Sequence, residues 1–171
     1  KWKFSGAWYK SLGTKFVLFT KAQLGILGYY NEDIGQSPFE RFYLGGDGLA
    51  NFSLDGREVI QLRGYPNQSL STSDGATVYN KFSMELRYPL TLKAAASIYA
   101  LTFIEAGASY NTFKEYNPFK LRRSVGVGMR FYLPMFGLLG FDYGIGLDRL
   151  DGSNALKDAA RFTFMLGFEP E

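Results

Sequence analysis

Apolar and polar residues alternate with a period of two along most of the chain. This is the mark of β-strands, whose successive side chains point to opposite faces. Between Ser124 and Pro134, Val125, Val127, Met129, Phe131 and Leu133 share one face, and Gly126, Gly128, Arg130 and Tyr132 share the other. From Leu139 to Asp148, Leu139, Phe141, Tyr143, Ile145 and Leu147 oppose Gly140, Asp142, Gly144, Gly146 and Asp148. Near the end Phe162, Phe164, Leu166 and Phe168 oppose Arg161, Thr163, Met165 and Gly167. Earlier, Phe82, Met84, Leu86 and Tyr88 oppose Lys81, Ser83, Glu85 and Arg87, and at the start Trp2, Phe4 and Trp8 oppose Lys3, Ser5 and Tyr9. The pattern predicts seven strands, over 2–10, 14–30, 79–90, 94–112, 122–134, 138–150 and 161–169. After the first strand, short turns such as Ser11–Thr14 and Pro134–Gly137 take turns with long polar connections at about 31–78, 114–120 and 151–160.

Short turns at one end and long loops at the other are typical of outer-membrane β-barrels. The two faces agree with that reading. Charged residues share a face with glycines, as a wet and crowded lumen requires, while the large aromatics share the face that would meet lipid. The alternative is a soluble antiparallel barrel of lipocalin type, supported by the length and by the Gly6-Ala7-Trp8 match to that family's G-x-W. The count of seven is awkward, because single-chain bacterial barrels normally close with an even number of strands and leave no open edge. Either one strand escapes the pattern or the chain is the C-terminal part of a larger barrel.

Composition narrows the chemistry. The chain of 171 residues has no cysteine and no histidine, which removes disulfides, thiolate metal sites and the commonest general base and metal ligand. With 19 basic and 16 acidic residues, the net charge of +3 is too balanced to argue for nucleic acid. No run of about 18 apolar residues exists to form a transmembrane helix. The mean hydropathy of -0.12 would suit a soluble protein, but a membrane barrel hides its apolar face in such an average. No cofactor is expected.

The connection from about 31 to 78 is far longer than the ~12–15 residues beyond which structureless loops become uncommon. It is also rich in apolar residues, among them Phe39, Phe42, Tyr43, Leu44, Leu49, Phe52, Val59, Ile60, Leu62 and Tyr65. Such a segment should pack against something, and a barrel lumen offers the space. Within it lies the tip Leu62-Arg63-Gly64-Tyr65, followed by Pro66. An arginine fork suits a carboxylate bidentately. Gly64 opens conformations closed to other residues, and Tyr65 can pack its ring while its hydroxyl finds a partner. Taken alone, this tip reads as a solvated type II-like turn. The upstream "ERFYLGGDG" (Glu40–Gly48), the downstream "FIEAG" (Phe103–Gly107) and the strand order reverse that reading.

Together these segments resemble the sixth extracellular loop and its partner strand in the BamA superfamily, which includes the TamA and two-partner-secretion transporters. In that family an F-Y-x-G-G segment precedes a V-R-G-F/Y tip. The loop folds into the lumen, where the tip arginine meets an acidic residue in an F-x-D-x-G motif on the second strand after the loop. Here Leu62 stands for Val and Glu105 for Asp.

The resemblance covers essentially the whole chain. It implies an all-β, antiparallel transmembrane β-barrel, of which this chain supplies the last seven or so strands out of sixteen, with the long loop in the lumen. The earlier strands and the POTRA repeats of the family then lie outside this chain. It implies a latch between Arg63 and Glu105, flanked by Phe103 and Gly107, with Arg130 as a further lumen-facing candidate. It makes the last strand, with Phe162, Phe164, Leu166, Gly167 and Phe168, one side of a lateral seam. It also implies a bacterial outer-membrane insertase without covalent chemistry. Its partners would be outer-membrane lipids, unfolded β-barrel clients and accessory assembly subunits. A polypeptide secretion pore of the same superfamily, or an unrelated small barrel, are the other readings.

Overall fold

The computed structural model describes residues 1–29, 37, 39–46, 57–93, 96–134, 137–148 and 160–167. Seven strands form one antiparallel sheet: β1 (Trp2–Leu12), β2 (Phe16–Ile26), β5 (Val78–Lys93), β6 (Ala96–Tyr110), β7 (Arg122–Leu133), β8 (Gly137–Gly146) and β9 (Ala160–Gly167). Each pairs with its sequence neighbour in the sheet order β1-β2-β5-β6-β7-β8-β9. The seven predicted strands all correspond to sheet strands, with shifted ends. β2 stops at Ile26 short of the expected 30, and β8 stops at Gly146 short of 150. Two further strands, β3 (Phe42–Leu44) and β4 (Glu58–Ile60), lie inside the long connection and pair in parallel. Alternation could not announce them, because three residues are too few to show a period.

Register explains the mixture of charges and glycines on the concave face. One row across the sheet reads Phe19, Glu85, Phe103, Gly126, Gly144 and Arg161; the next reads Lys21, Ser83, Glu105, Ser124 and Gly146. Large lumenal side chains on one strand face glycines on its neighbour: Arg130 faces Gly140, Asp142 faces Gly128, and Phe103 faces Gly126. Facing Cβ atoms stand only about 4.5–5.5 Å apart, so a glycine gives the opposite side chain room to lie flat along the wall. A Cβ on Gly140 would come within 3.1 Å of Arg130 Cδ.

On the convex face, Phe4, Trp8, Phe82, Met84, Ile104, Val127, Tyr143 and Phe162 are exposed. The core instead lies inside the curve of the sheet, where Phe42, Leu44, Ile60, Leu62 and Tyr65 of the connection pack with Leu27 and Tyr79. The described part of the long connection therefore fills the lumen. Lys1 and Lys3 bridge to Glu58 at 2.6 and 2.9 Å and tie β1 to this filling.

The same strand should respond oppositely on its two faces. A Cβ on Gly126 would stand 2.8 Å from Gly144 Cα and collide with the Phe103 ring. In the full-length protein Gly126→Val should lower stability to urea by about 1–3 kcal/mol, the usual cost of overpacking. Val127→Leu, on the exposed face, should leave the unfolding midpoint nearly unchanged.

Candidate functional site

The tip of the long connection is built by its own backbone. Gly45 and Gly46 adopt φ of 119° and 91°, and their N–H groups donate to the carbonyls of Ile60 and Leu62 at 3.0 and 3.3 Å. These bonds extend the β3–β4 pairing, so the Tyr43-Leu44-Gly45-Gly46 segment holds the strand that leads into Arg63. Gly64 has φ +87°, and a Cβ there would lie 2.8 Å from the Ile145 carbonyl carbon and 2.9 Å from Gly146 N. Both the left-handed conformation and the close approach to β8 require glycine. On the facing strand Gly144 and Gly146 are equally constrained, with Gly64 N 3.0 Å from a Cβ on the first and Tyr65 Cε1 2.9 Å from one on the second.

This contact plants Arg63 among acidic groups. Arg63 is 2% exposed. Nη2 donates to Glu105 Oε1 at 2.8 Å and to Glu85 Oε1 at 2.7 Å, and Nη1 lies 3.5 Å from Asp142 Oδ2. The backbone N–H of Arg63 donates to Glu105 Oε2 at 2.9 Å. The guanidinium also lies over the Phe103 ring, 3.7 Å from its centroid, within cation–π range. Burial opposes the positive charge, but Glu105, Glu85 and Asp142 more than offset it and hold Arg63 above its ordinary pKa.

Neighbouring cations and one hydroxyl fix the carboxylates in place. Lys81 Nζ and Ser83 Oγ each reach Glu105 Oε1 at 3.2 Å. Arg87 Nε donates to Glu85 Oε2 at 2.9 Å. Arg130 clamps Asp142 with two bonds of 2.7 and 2.8 Å. The network thus joins β5, β6 and β8 through one loop residue, and Arg130 adds β7 through Asp142.

Tyr65 makes a separate anchor towards the long-loop end. Burial pushes its hydroxyl up, so it stays a donor, and it donates to Arg123 O at 2.7 Å while accepting from Asp148 N at 3.2 Å. Asp148 in turn receives the Arg123 side chain at 3.0 and 2.8 Å and its backbone N–H at 2.7 Å. These bonds from Arg123 hold the Asp148 carboxyl below its ordinary value near 3.8.

Arg63, Gly64, Phe103, Glu105 and Arg130 are therefore gathered in one cluster. Leu62, fully buried, and Gly107 face each other beside it, with Leu62 Cδ1 3.5 Å from a Cβ on Gly107. Phe162, Phe164 and Leu166 are elsewhere, exposed on the convex face of β9, whose only neighbour in this sheet is β8. Gly167 ends β9, and Phe168 lies outside the described residues. Sequence reasoning placed Glu85 and Asp142 on the charged face without assigning them to Arg63. The signal was their alternation with glycines and aromatics, but only the strand register brings them to one guanidinium.

The sequence model of one family, the Omp85 superfamily domain, matches residues 1–169. No curated protein matches the chain.

Removing one partner of a buried ion network leaves the others uncompensated, at a cost of about 3–5 kcal/mol. Arg63→Ala in the full-length protein should lose stability of that order and expose the loop to protease. Because the pair is coupled, Arg63→Ala with Glu105→Ala should cost less than the sum of the single changes, as a double-mutant cycle reads directly. The Asp148 clamp should be pH-dependent. Its folded pKa is depressed, so its stabilisation is complete above the ordinary aspartate range and disappears as pH falls through the lowered value. The gap in melting temperature between the parent protein and Asp148→Asn should therefore be widest near neutrality and close in acid.

Proposed function

The chain belongs to the Omp85 superfamily, outer-membrane β-barrel proteins with a general role in barrel assembly or polypeptide secretion, and from this premise we propose that it is the C-terminal barrel portion of a BamA-type insertase. In this reading it assists the folding of other β-barrel proteins into the bacterial outer membrane, with no covalent step. The active surface is the seam at β9, where an unfolded client strand pairs with the outer edge of this strand. Phe162, Phe164 and Leu166 face the lipid into which the client moves. Accessory subunits and POTRA repeats encoded outside this chain would deliver the client.

The observation that carries this reading is the position of the buried network relative to that edge. Arg63 bonds with residues of β5 and β6 and approaches Asp142 on β8, the strand that pairs with β9. The loop thereby braces the wall one strand from the seam and leaves β9 itself unbraced by ion pairs among the described residues. A client can then exchange hydrogen bonds at β9 while the rest of the wall keeps its register. A secretion pore makes the opposite demand, since its lumen must clear. Here the lumen holds the packed tip, and clearing it would break a buried ion network.

The test reconstitutes the full-length protein in vesicles with an unfolded barrel client. The described chain has no cysteine, so a single Leu166→Cys can report on the edge. The client's terminal strand should crosslink to this position during folding, and client folding should be faster than in empty vesicles. Passage of a soluble polypeptide through the vesicle wall, without crosslinking or faster folding, would replace this reading with the secretion pore.

A further inference from the structure

Two rows of side chains cross the convex face of the sheet, at right angles to the strands. Register places Leu86, Thr102, Val127, Tyr143 and Phe162 in one row. Tyr88, Ala100, Met129 and Phe141 stand in the other. Between the rows, Leu101 and Asp142 turn buried side chains into the lumen, and Gly128 has none. The backbone there is left bare, and a trough of about 460 Å³ with an almost wholly apolar lining runs along it. Ala100 and Thr102, the smallest members of their rows, leave it open over β6. Aromatic pairs close both ends. Phe16 meets Tyr88 with ring centroids 5.1 Å apart, and Phe141 meets Phe162 at 6.1 Å.

Shape and polarity decide what can lie there. At ~4.8 Å per strand step the rows run about 19 Å from β5 to β9. A volume of about 460 Å³ over that length leaves a mean section of roughly 25 Å². A helix about 10 Å across is far too wide to enter. An extended peptide would carry N–H and C=O groups into hydrocarbon with nothing to pair them, because the wall strands already pair with each other. A polar solute finds no set of partners in an apolar slot. What fits is a single alkyl chain, and the convex wall of an outer-membrane barrel is where such chains are supplied.

We propose that this trough binds one straight acyl chain of a membrane lipid, lying across β5 to β8 with its end against Phe162 of β9. No hydrophobic force distinguishes the slot from the surrounding lipid, since both are equally apolar. Retention comes instead from dispersion contacts with walls that are already in place, chiefly the rings of Tyr88, Phe141 and Tyr143. The bound chain sets one ordered lipid beside β9. The site needs only a wall that faces lipid, so it holds for an insertase and for a secretion pore alike.

The experiment folds the full-length protein into vesicles of dipalmitoyl phosphatidylcholine and extracts it in a steroid-based detergent, which offers no straight chain. Native mass spectrometry should show one phospholipid retained per protein, and exchange into a straight-chain maltoside detergent should displace it. The same lipid with a diazirine on its palmitoyl chain should crosslink to Ala100–Thr102 or Met129 in preference to Met84 and Ile104, which are exposed on the same face outside the trough. Ala100→Phe fills the slot and should cut retention by about tenfold, the scale of a few lost packing contacts. Ile104→Phe adds bulk to the same face of the same strand and should retain lipid as the parent does. If Ala100→Phe fails to fold, Ala100→Leu supplies the comparison. The proposal is overturned if the parent retains no lipid, if the folded Ala100 variant retains it as the parent does, if Ile104→Phe loses as much, or if the retained mass is a peptide.

Discussion

An arginine with 2% of its surface exposed is tolerated only where carboxylates answer its charge, and the wall of this barrel is arranged to provide that. Arg63 cannot shed its proton, so desolvation must be answered by opposite charge. Glu85 comes from β5, Glu105 from β6 and Asp142 from β8, three strands that meet Arg63 only if all pairings between them hold register. A slip of one residue would turn each carboxylate to the lipid face. The ion network and the sheet register are thus one constraint. The loop tests the wall for correct pairing, and the wall determines where the loop can dock.

Close approach is what makes the constraint sharp. A side chain as large as arginine can reach three strands only if the backbone carrying it touches the wall. That is the role of Gly64 against Gly144 and Gly146, where added Cβ atoms would fall within about 3 Å of the opposing chain. The same device recurs where Arg130 lies flat across from Gly140 to hold Asp142. Glycines on a strand normally weaken it. Here the entropic loss is offset by contacts that no side-chain-bearing residue would allow.

Alternation made five of the seven sheet strands plainly readable in advance, since one face meets lipid and the other a polar lumen, while β2 and β6 alternate less cleanly. The loop's lumenal packing was readable from its apolar content, and the order of motifs around Arg63 and Glu105 singled out both residues. What could not be read follows from the same physics. Glu85 and Asp142 look like any other lumenal charges until register places them beside Arg63. The β3–β4 pairing spans three residues on each side and rests on glycine conformations at Gly45 and Gly46, which leave no periodic trace. The ends of β2 and β8 run short of their apolar patterns because Leu27 leaves the sheet for the loop core, while Leu147 turns at the Arg123–Asp148 clamp.

The glutamate at position 105 holds the loop tip through both of its oxygens. One oxygen of Glu105 receives the Arg63 backbone N–H, and the other receives the Arg63 guanidinium, Lys81 and Ser83. A single carboxylate therefore grips the tip at two points, main chain and side chain. Holding the backbone as well as the charge fixes the orientation of the whole tip, since a guanidinium alone can pivot about its long stem. A wall that held only the charge would tolerate a loosely seated loop. A wall that also holds the amide of Arg63 defines one seated position, and with it one register for β5 through β8.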